Sequence, residues 1–327
     1  MDLALSPSTP GLSVSELADL CRFAEDLGYR QAWLAEVAGP DAFVLAAAIA
    51  ARTKRLECGV AVVPVYTRTP AGLATAAASV SQLMGERPFR LGIGSSSGVI
   101  VEQWHGVPLV QPLARVRDTA LAVRQALNGQ GDYVGTTLTM SRFRLATPPS
   151  GPVPIFIGAL RPRMLALAGE VGDGVCLNLM PPRVVVRQLA EVRRGAEAAG
   201  RELPSDFGVM ARLQTVVTDD PTGVRETLRN QFLGPYLAQP VYNQFLAWMG
   251  YEEEAAAIAA GWAAKDRKSV AAAIHDRLID DLVLVGDAEH VRDRLDEFAA
   301  SGLTVAGLMV QTSSRSAVEG TLRALAR

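Results

Sequence analysis

Apolar positions along this chain fall into two kinds of run. Short runs rich in β-branched residues, with little polar alternation, stand at Leu3–Leu5, Gln31–Leu34, Leu56–Val63, Phe89–Ile93, Ile155–Gly158, Gly174–Asn178, Phe207–Val217 and Val305–Val310. Runs of that kind are expected of parallel strands buried on both faces. Between them lie longer stretches of helical period. Ser13 and Ser15 precede Leu17, Leu20, Cys21, Ala24 and Leu27, and Gly28 closes the stretch, which predicts a capped amphipathic helix. Thr69-Pro70, Pro162 and Pro181-Pro182 open three more, in keeping with proline in a first helical turn. Eight strands alternating with helical crossovers predict an α/β fold, a (β/α)8 barrel. A doubly wound sheet with an appended helical domain is the alternative.

Two stretches exceed a simple crossover, one after strand four and one after strand seven. About 129–154 holds Tyr133-Val134 and Arg142–Leu145, which predict a small hairpin. About 219–280 is helical in period and crowded with Phe232, Tyr236, Tyr242, Phe245, Trp248 and Tyr251. Aromatics at helical spacing usually pack inward; covering a pocket or meeting a second subunit are the other uses open to them. With no internal repeat or low-complexity linker, residues 1–327 are expected to form one barrel domain carrying both insertions.

Composition agrees with a large core: of 327 residues 49% are hydrophobic and 20% charged, with a net charge of -2. Disorder needs lower hydrophobicity and higher net charge, and a nucleic-acid binder usually shows a basic excess. The most apolar stretch, around Phe43 to Ala51, is too short to span a bilayer and ends in Arg52, Lys54 and Arg55. The start, MDLALSPSTPGLS, carries Asp2 and no basic n-region, so no signal peptide is expected and the expected location is cytoplasmic. Cys21, Cys58 and Cys176 are odd in number and widely spaced, which argues against a disulfide framework or a zinc site.

Candidate chemistry is sparse. Gly92–Gly98 reads GIGSSSG after a predicted strand, but Ser97 stands where a dinucleotide fingerprint needs its third glycine. Small residues and successive N–H groups there suit a phosphate or a flavin edge; a plain Gly/Ser loop is the other reading. Of the histidines, His275 and His290 lie in charged helical stretches, and His105 follows Trp104 near the end of strand four, where barrel active sites lie. No pair of them has metal-ligand spacing, and no metal is expected. Glu36 ends strand two as a ligand-binding acid or a surface one, with Glu102 less direct. No GxSxG or Ser/His/Asp order is present. A barrel without its own acid–base or nucleophile set often leaves the hard chemistry to a cofactor.

Several segments, taken in order, resemble the luciferase-like monooxygenase superfamily. They are LGYRQAWLAEV, CGVAVVPVYTRTPAGLATAAASVSQL, FRLGIGSSS, PIFIGALRPRMLALAGEVGDGVCLN and VGDAEHVRDRLDEFAASGL. LGIGSSSGVIVEQWHG, PLARVRD and GALRPRMLALAGEVGDGV look most like its branch using coenzyme F420, a deazaflavin, rather than FMN. The resemblance implies a (β/α)8 barrel, with a non-proline cis peptide in strand three at Gly59–Val60 bracing the cofactor ring. It implies Glu36 near that ring, and Ser95, Ser96 and Ser97 at the cofactor's edge and tail. It also implies that Leu160, Arg161, Arg163 and Met164 receive the phosphate tail, which suits a helix N-terminus beside two arginines. Tyr66 and Trp104 are the expected substrate-pocket residues.

Two positions depart from the family pattern. After Glu36 many relatives have a proton-handling His, where this chain has Val37; the deazaflavin-dependent sugar-phosphate dehydrogenases have a Glu in the strand-four loop, where it has Ser97. Sugar-phosphate oxidation is therefore not expected, no catalytic side chain is assigned, and protons are expected from water or the substrate. The expected activity is hydride exchange between reduced deazaflavin and a small organic substrate, which depends on positioning more than on a protein base. The alternatives are a reduced-FMN-dependent monooxygenase using O2, and a cofactor-binding barrel without turnover. A homodimer is the expected assembly, with neither nucleic acid nor membrane as partner.

Overall fold

The computed structural model describes residues 1–326. Eight parallel strands close on themselves: β1 (Asp2–Leu5), β2 (Gln31–Leu34), β3 (Glu57–Val60), β4 (Phe89–Gly94), β5 (Ile155–Gly158), β6 (Gly174–Asn178), β7 (Gly208–Val217) and β8 (Val305–Val310). Each pairs with the next, and β8 returns to β1 with Val305 opposite Asp2. The eight crossover helices are α1 (Val14–Asp26), α2 (Ala42–Arg52), α3 (Pro70–Met84), α4 (Pro112–Leu127), α5 (Pro162–Val171), α6 (Pro182–Ala198), α7 (Ala288–Ala300) and α8 (Arg315–Leu325). The chain is thus a (β/α)8 barrel, with a barrel strand in each of the eight expected runs.

Local chemistry sets the helix starts. Ser13 caps α1 and forms a capping box with Glu16, while Thr69 accepts from the Gly72 amide ahead of Pro70 in α3. The α2–β3 connection is pinned from below by Glu25, whose carboxylate accepts from the amides of Lys54, Arg55 and Leu56. Burial alone would raise that carboxyl, but the three amides and Arg55 hold it below its usual range.

Strand alternation divides the core in two. Residues such as Val175 and Leu177 face outward into the layer between sheet and helices. Their neighbours face inward, where Ala4, Trp33, Phe156, Cys176, Met210 and Val305 form a closed apolar plug. Trp33 and Phe156 meet with ring centroids 5.0 Å apart. Beyond the plug, toward the C-terminal strand ends, the inner face carries Gly94, Gly158, Asn178, Arg212 and Gln214.

Three local expectations are corrected. The apolar run Leu56–Val63 is not one strand: it breaks after Val60, and Val63–Pro64 pairs separately with Ile93 and Gly94. The hairpin partner of Tyr133–Val134 is Thr139–Met140 rather than Arg142–Leu145; the Arg142 amide instead donates to Asp132, and the segment runs on without strand pairing. A further strand, Val283–Gly286, closes the 219–280 insertion and pairs with the upper half of β7, Gln214–Val217. Its four-residue apolar run directly follows the helix Asp276–Leu282, and so short a run has no periodicity to separate it from that helix. No helix among the described residues is long and apolar enough to cross a membrane.

Candidate active site at the barrel mouth

The C-terminal ends of the strands surround one cavity of about 2320 Å3. Drug-sized ligands occupy pockets of roughly 300–1,000 Å3, so this one has room for a large cofactor and a second molecule together. The strand-end loops build its rim, and the aromatic insertion stands over one side.

The β3–β5 side is lined with small residues. The peptide between Ala61 and Val62 is cis, which corrects the expected Gly59–Val60. Gly59 and Val60 remain within the strand ladder, opposite Trp33 and Leu34, and the break begins only past the last ladder residue. Neither lines the cavity. A Cβ on Gly59 would lie 2.6 Å from the Trp33 ring, so this glycine makes room for the plug, while Val60 is fully buried in the outer layer. Val62 takes the place expected of them: its side chain projects between Gly94 and Gly158, whose absent Cβ atoms would meet its methyl groups at 2.8 Å and 3.0 Å. Ser95, Ser96 and Ser97 follow Gly94 on the rim, with Ser96 left-handed at φ 61°.

Across the next loop stand Leu160, Arg161, Arg163 and Met164, all lining the cavity. Arg161 occupies the N-cap position of α5, with no side chain capping the helix. Neither Arg161 nor Arg163 has an ion-pair partner among the described residues, and the first turn of the helix, Pro162 to Met164, lines the same space. A helix N-terminus flanked by two unpaired guanidinium groups attracts anions.

Glu36 lines the cavity but is not a free acid. Arg68 Nε and Nη2 donate to its two oxygens at 2.9 Å and 2.8 Å, and Arg68 also bonds Asp41. The Glu36 bond, foremost, raises the Arg68 guanidinium above its ordinary value. Burial would raise Asp41, yet the Val44 and Phe43 amides with Arg68 hold it low. The trio ties the loops after β2 and β3 together. Arg68 carries no sequence signal beyond its place in a loop.

Trp104 lines the rim, half-exposed, at the end of the π-helical turn Val99–Trp104. Tyr66 does not reach the cavity: its hydroxyl donates to the Val110 carbonyl and its ring lies under Arg115, which turns it toward the 107–111 loop. His105 is exposed and outside the cavity, Val37 lies exposed on the rim, and Ser97 lines it. His275 caps the helix Asp276–Leu282 by accepting from the Leu278 amide.

The β6–β8 side is polar and was not foreseen. Asn178 donates to the Tyr236 hydroxyl at 3.0 Å and the Tyr242 hydroxyl at 3.3 Å, and accepts from Gln214 at 3.4 Å. Gln311 in turn donates to Gln214. Burial pushes the Tyr236 hydroxyl well above its usual range, so it stays protonated. The insertion aromatics divide: Phe245 and Tyr251 are buried, whereas Phe232, Tyr236, Tyr242 and Trp248 line the cavity. Arg212 faces inward on β7, two residues above Met210. The available signal was the alternation Met210, Arg212, Gln214, which places two polar residues on the inner face of an otherwise apolar strand.

Comparison with known proteins agrees with this architecture. The profile of the luciferase-like monooxygenase family matches residues 2–305. A Mycobacterium tuberculosis protein provisionally named a coenzyme F420-dependent oxidoreductase is 30% identical over 316 residues, covering 88% of each chain. The 5,10-methylenetetrahydromethanopterin reductase of Archaeoglobus fulgidus is 26% identical, over 95% of this chain and 94% of its own. In fold, the coenzyme F420-dependent tetrahydromethanopterin reductase of Methanopyrus kandleri superposes with a TM-score of 0.83 at 20% identity, over 100% of this chain and 97% of that one. With its fold, its cavity and these relatives in agreement, the chain belongs to the luciferase-like monooxygenase family and is by class an oxidoreductase.

Proposed function

We propose that the chain uses coenzyme F420 to exchange hydride with a small organic substrate. The observation that carries the reading is the unpaired cationic lip of Arg161 and Arg163 at the open α5 N-terminus, next to a Gly/Ser loop in the same cavity. The site suits the group: the cavity is large, the lip attracts an anionic tail, and Val62, seated between Gly94 and Gly158, presents a small apolar surface to the cavity. When bound, the deazaflavin supplies two-electron hydride transfer at carbon.

The chain's own residues bind and orient. Arg161 and Arg163 hold the tail by charge-assisted hydrogen bonds, with Leu160 and Met164 packing beside them. Ser95, Ser96 and Ser97 offer hydroxyls and amides along its edge. Val62, fixed between Gly94 and Gly158, would be the residue that packs against the ring. Glu36 acts through Arg68, fixing the β2 and β3 loops against the cofactor side rather than moving a proton. The insertion aromatics screen the opposite side from bulk water. Trp104 forms the rim on the substrate's approach.

Equilibrium titration of the purified chain with coenzyme F420 and with FMN, followed by fluorescence, tests the proposal. Tighter binding of the deazaflavin is expected; tighter binding of FMN would overturn it in favour of the monooxygenase reading.

A further inference from the structure

Three guanidinium groups on the cavity lack a carboxylate partner among the described residues: Arg161, Arg163 and Arg212. The first two form the lip assigned above to the cofactor tail. Arg212 stands apart, on β7, with Asn178 of β6 and Gly307 of β8 as its strand partners. Its Nη2 donates to the Met309 sulfur at 2.7 Å, and its Nε is buried with no partner. A thioether is a weak acceptor. A partly buried cation so poorly satisfied beside an apolar plug is costly unless an anion completes it.

The surrounding groups do not supply that anion. Arg117 and Glu170 satisfy each other, as do Arg68 and Glu36. Asn178, Gln214, Gln311 and the two tyrosines are neutral and bonded to one another. Burial pushes the Cys176 thiol up, so it is not a thiolate, even with Arg212 near it. The unmet demand at Arg212 is therefore directed at whatever fills the cavity.

We propose that Arg212 is a substrate-binding residue and that the substrate is a small organic acid whose carboxylate pairs with it at the barrel mouth. The planar guanidinium matches a carboxylate in a two-bonded fork. Asn178 and Gln214 flank it, tied into their own network, and the insertion aromatics cover the acid's apolar part. The proposal rests on the cofactor reading, which reserves the β3–β5 side for the deazaflavin and leaves β6–β8 for the substrate.

Calorimetric titration of the full chain with benzoate, cinnamate and octanoate, each against its own amide, tests it. At least one acid is expected to bind about tenfold tighter than its amide, the size of one good charge-assisted pair. Arg212→Met is expected to abolish that preference while leaving amide binding and F420 affinity unchanged. Arg212→Lys, which keeps the charge and loses the fork, is expected to reduce it about threefold. Equal binding of every acid and its amide by the wild type overturns the proposal, as does an unchanged preference in either variant. A loss of about tenfold or more in F420 affinity in Arg212→Met would assign Arg212 to the cofactor and overturn it too. If Arg212→Met does not fold, the wild-type comparison and the Lys variant decide. A wild type that ignores F420 but prefers acids through Arg212 would sink the cofactor reading and leave this one standing.

Discussion

The two sides of the barrel mouth solve the same problem in opposite ways. On β3–β5 the inner positions are glycines, Gly94 and Gly158, closed over a single valine, and the polar atoms are backbone amides, serines and arginines at the rim. On β6–β8 the inner positions are large and polar, Asn178, Arg212 and Gln214, held by side-chain hydrogen bonds and roofed by Tyr236 and Tyr242. The first side is shaped by removing atoms, which lets Val62 seat between the strands and keeps the wall small and apolar. The second is shaped by placing donors, which selects a ligand by chemistry. A barrel with one side of each kind is suited to hold a common cofactor against a particular substrate.

The sharpest way to break this contrast is to fill the emptied side. Gly94→Val or Gly158→Val would drive atoms into the Val62 methyls. Overpacking of this kind costs about 2 kcal/mol of stability, expected as a lowered midpoint in urea unfolding, and the displaced Val62 should also weaken F420 binding in fluorescence titration, with circular dichroism checking the fold. Acid-over-amide selectivity in either variant should be preserved, because Arg212 is untouched.

Next in size, Arg161→Ala and Arg163→Ala should each weaken F420 binding about tenfold, the loss of one charge-assisted contact. A tail-less deazaflavin fragment should bind variant and wild type alike. Weaker binding of that fragment would place the defect in folding or ring contacts instead.

On the other side, Asn178→Ala removes the partner shared by Tyr236, Tyr242 and Gln214. A stability loss of about 1–2 kcal/mol is expected in urea unfolding, with F420 affinity unchanged. If F420 affinity falls as far as in the arginine variants, the cofactor is not confined to β3–β5.

The smallest effect expected is in acid. Asp41 is held below its ordinary range by its amides and Arg68. The unfolded chain therefore binds that proton more readily, and the trio's contribution is complete above about pH 4 and lost as pH falls through the lower folded value. The β6–β8 network has no carboxylate and should not follow. Hydrogen exchange should show loosening of the loops after β2 and β3 as pH falls below about 4, ahead of Asn178 and Gln214. Loosening of both sides together would indicate global acid unfolding and erase the distinction.

How much of this was legible in the sequence depends on whether the signal was local. All eight barrel strands and the caps Ser13 and Thr69 were readable, because apolar periodicity and capping act over a few residues. The Ser95–Ser97 loop was legible because it directly follows a strand end, where a barrel's mouth must be, whereas Leu160, Arg161, Arg163 and Met164 were implied only by the family resemblance; all of them line the cavity. The cis bond was misplaced by two residues, since the exact end of the β2–β3 ladder is a pairing property and the run Leu56–Val63 reads as one apolar stretch. Tyr66 pointed elsewhere because its hydroxyl found Val110, 44 residues away.

By itself, then, the sequence determined the barrel, its alternation of inward and outward positions, and the strand-end loops that make the rim. Tertiary structure alone decided which side chains share the cavity. Glu36 meets Arg68 across 32 residues, Asn178 meets Tyr242 across 64, and Arg212 reaches Met309 across 97. Closure of the barrel brings these partners together, and the pattern of any one segment carries no trace of it. The unmet charge on Arg212 likewise exists only once the strands around it have closed and supplied no acid.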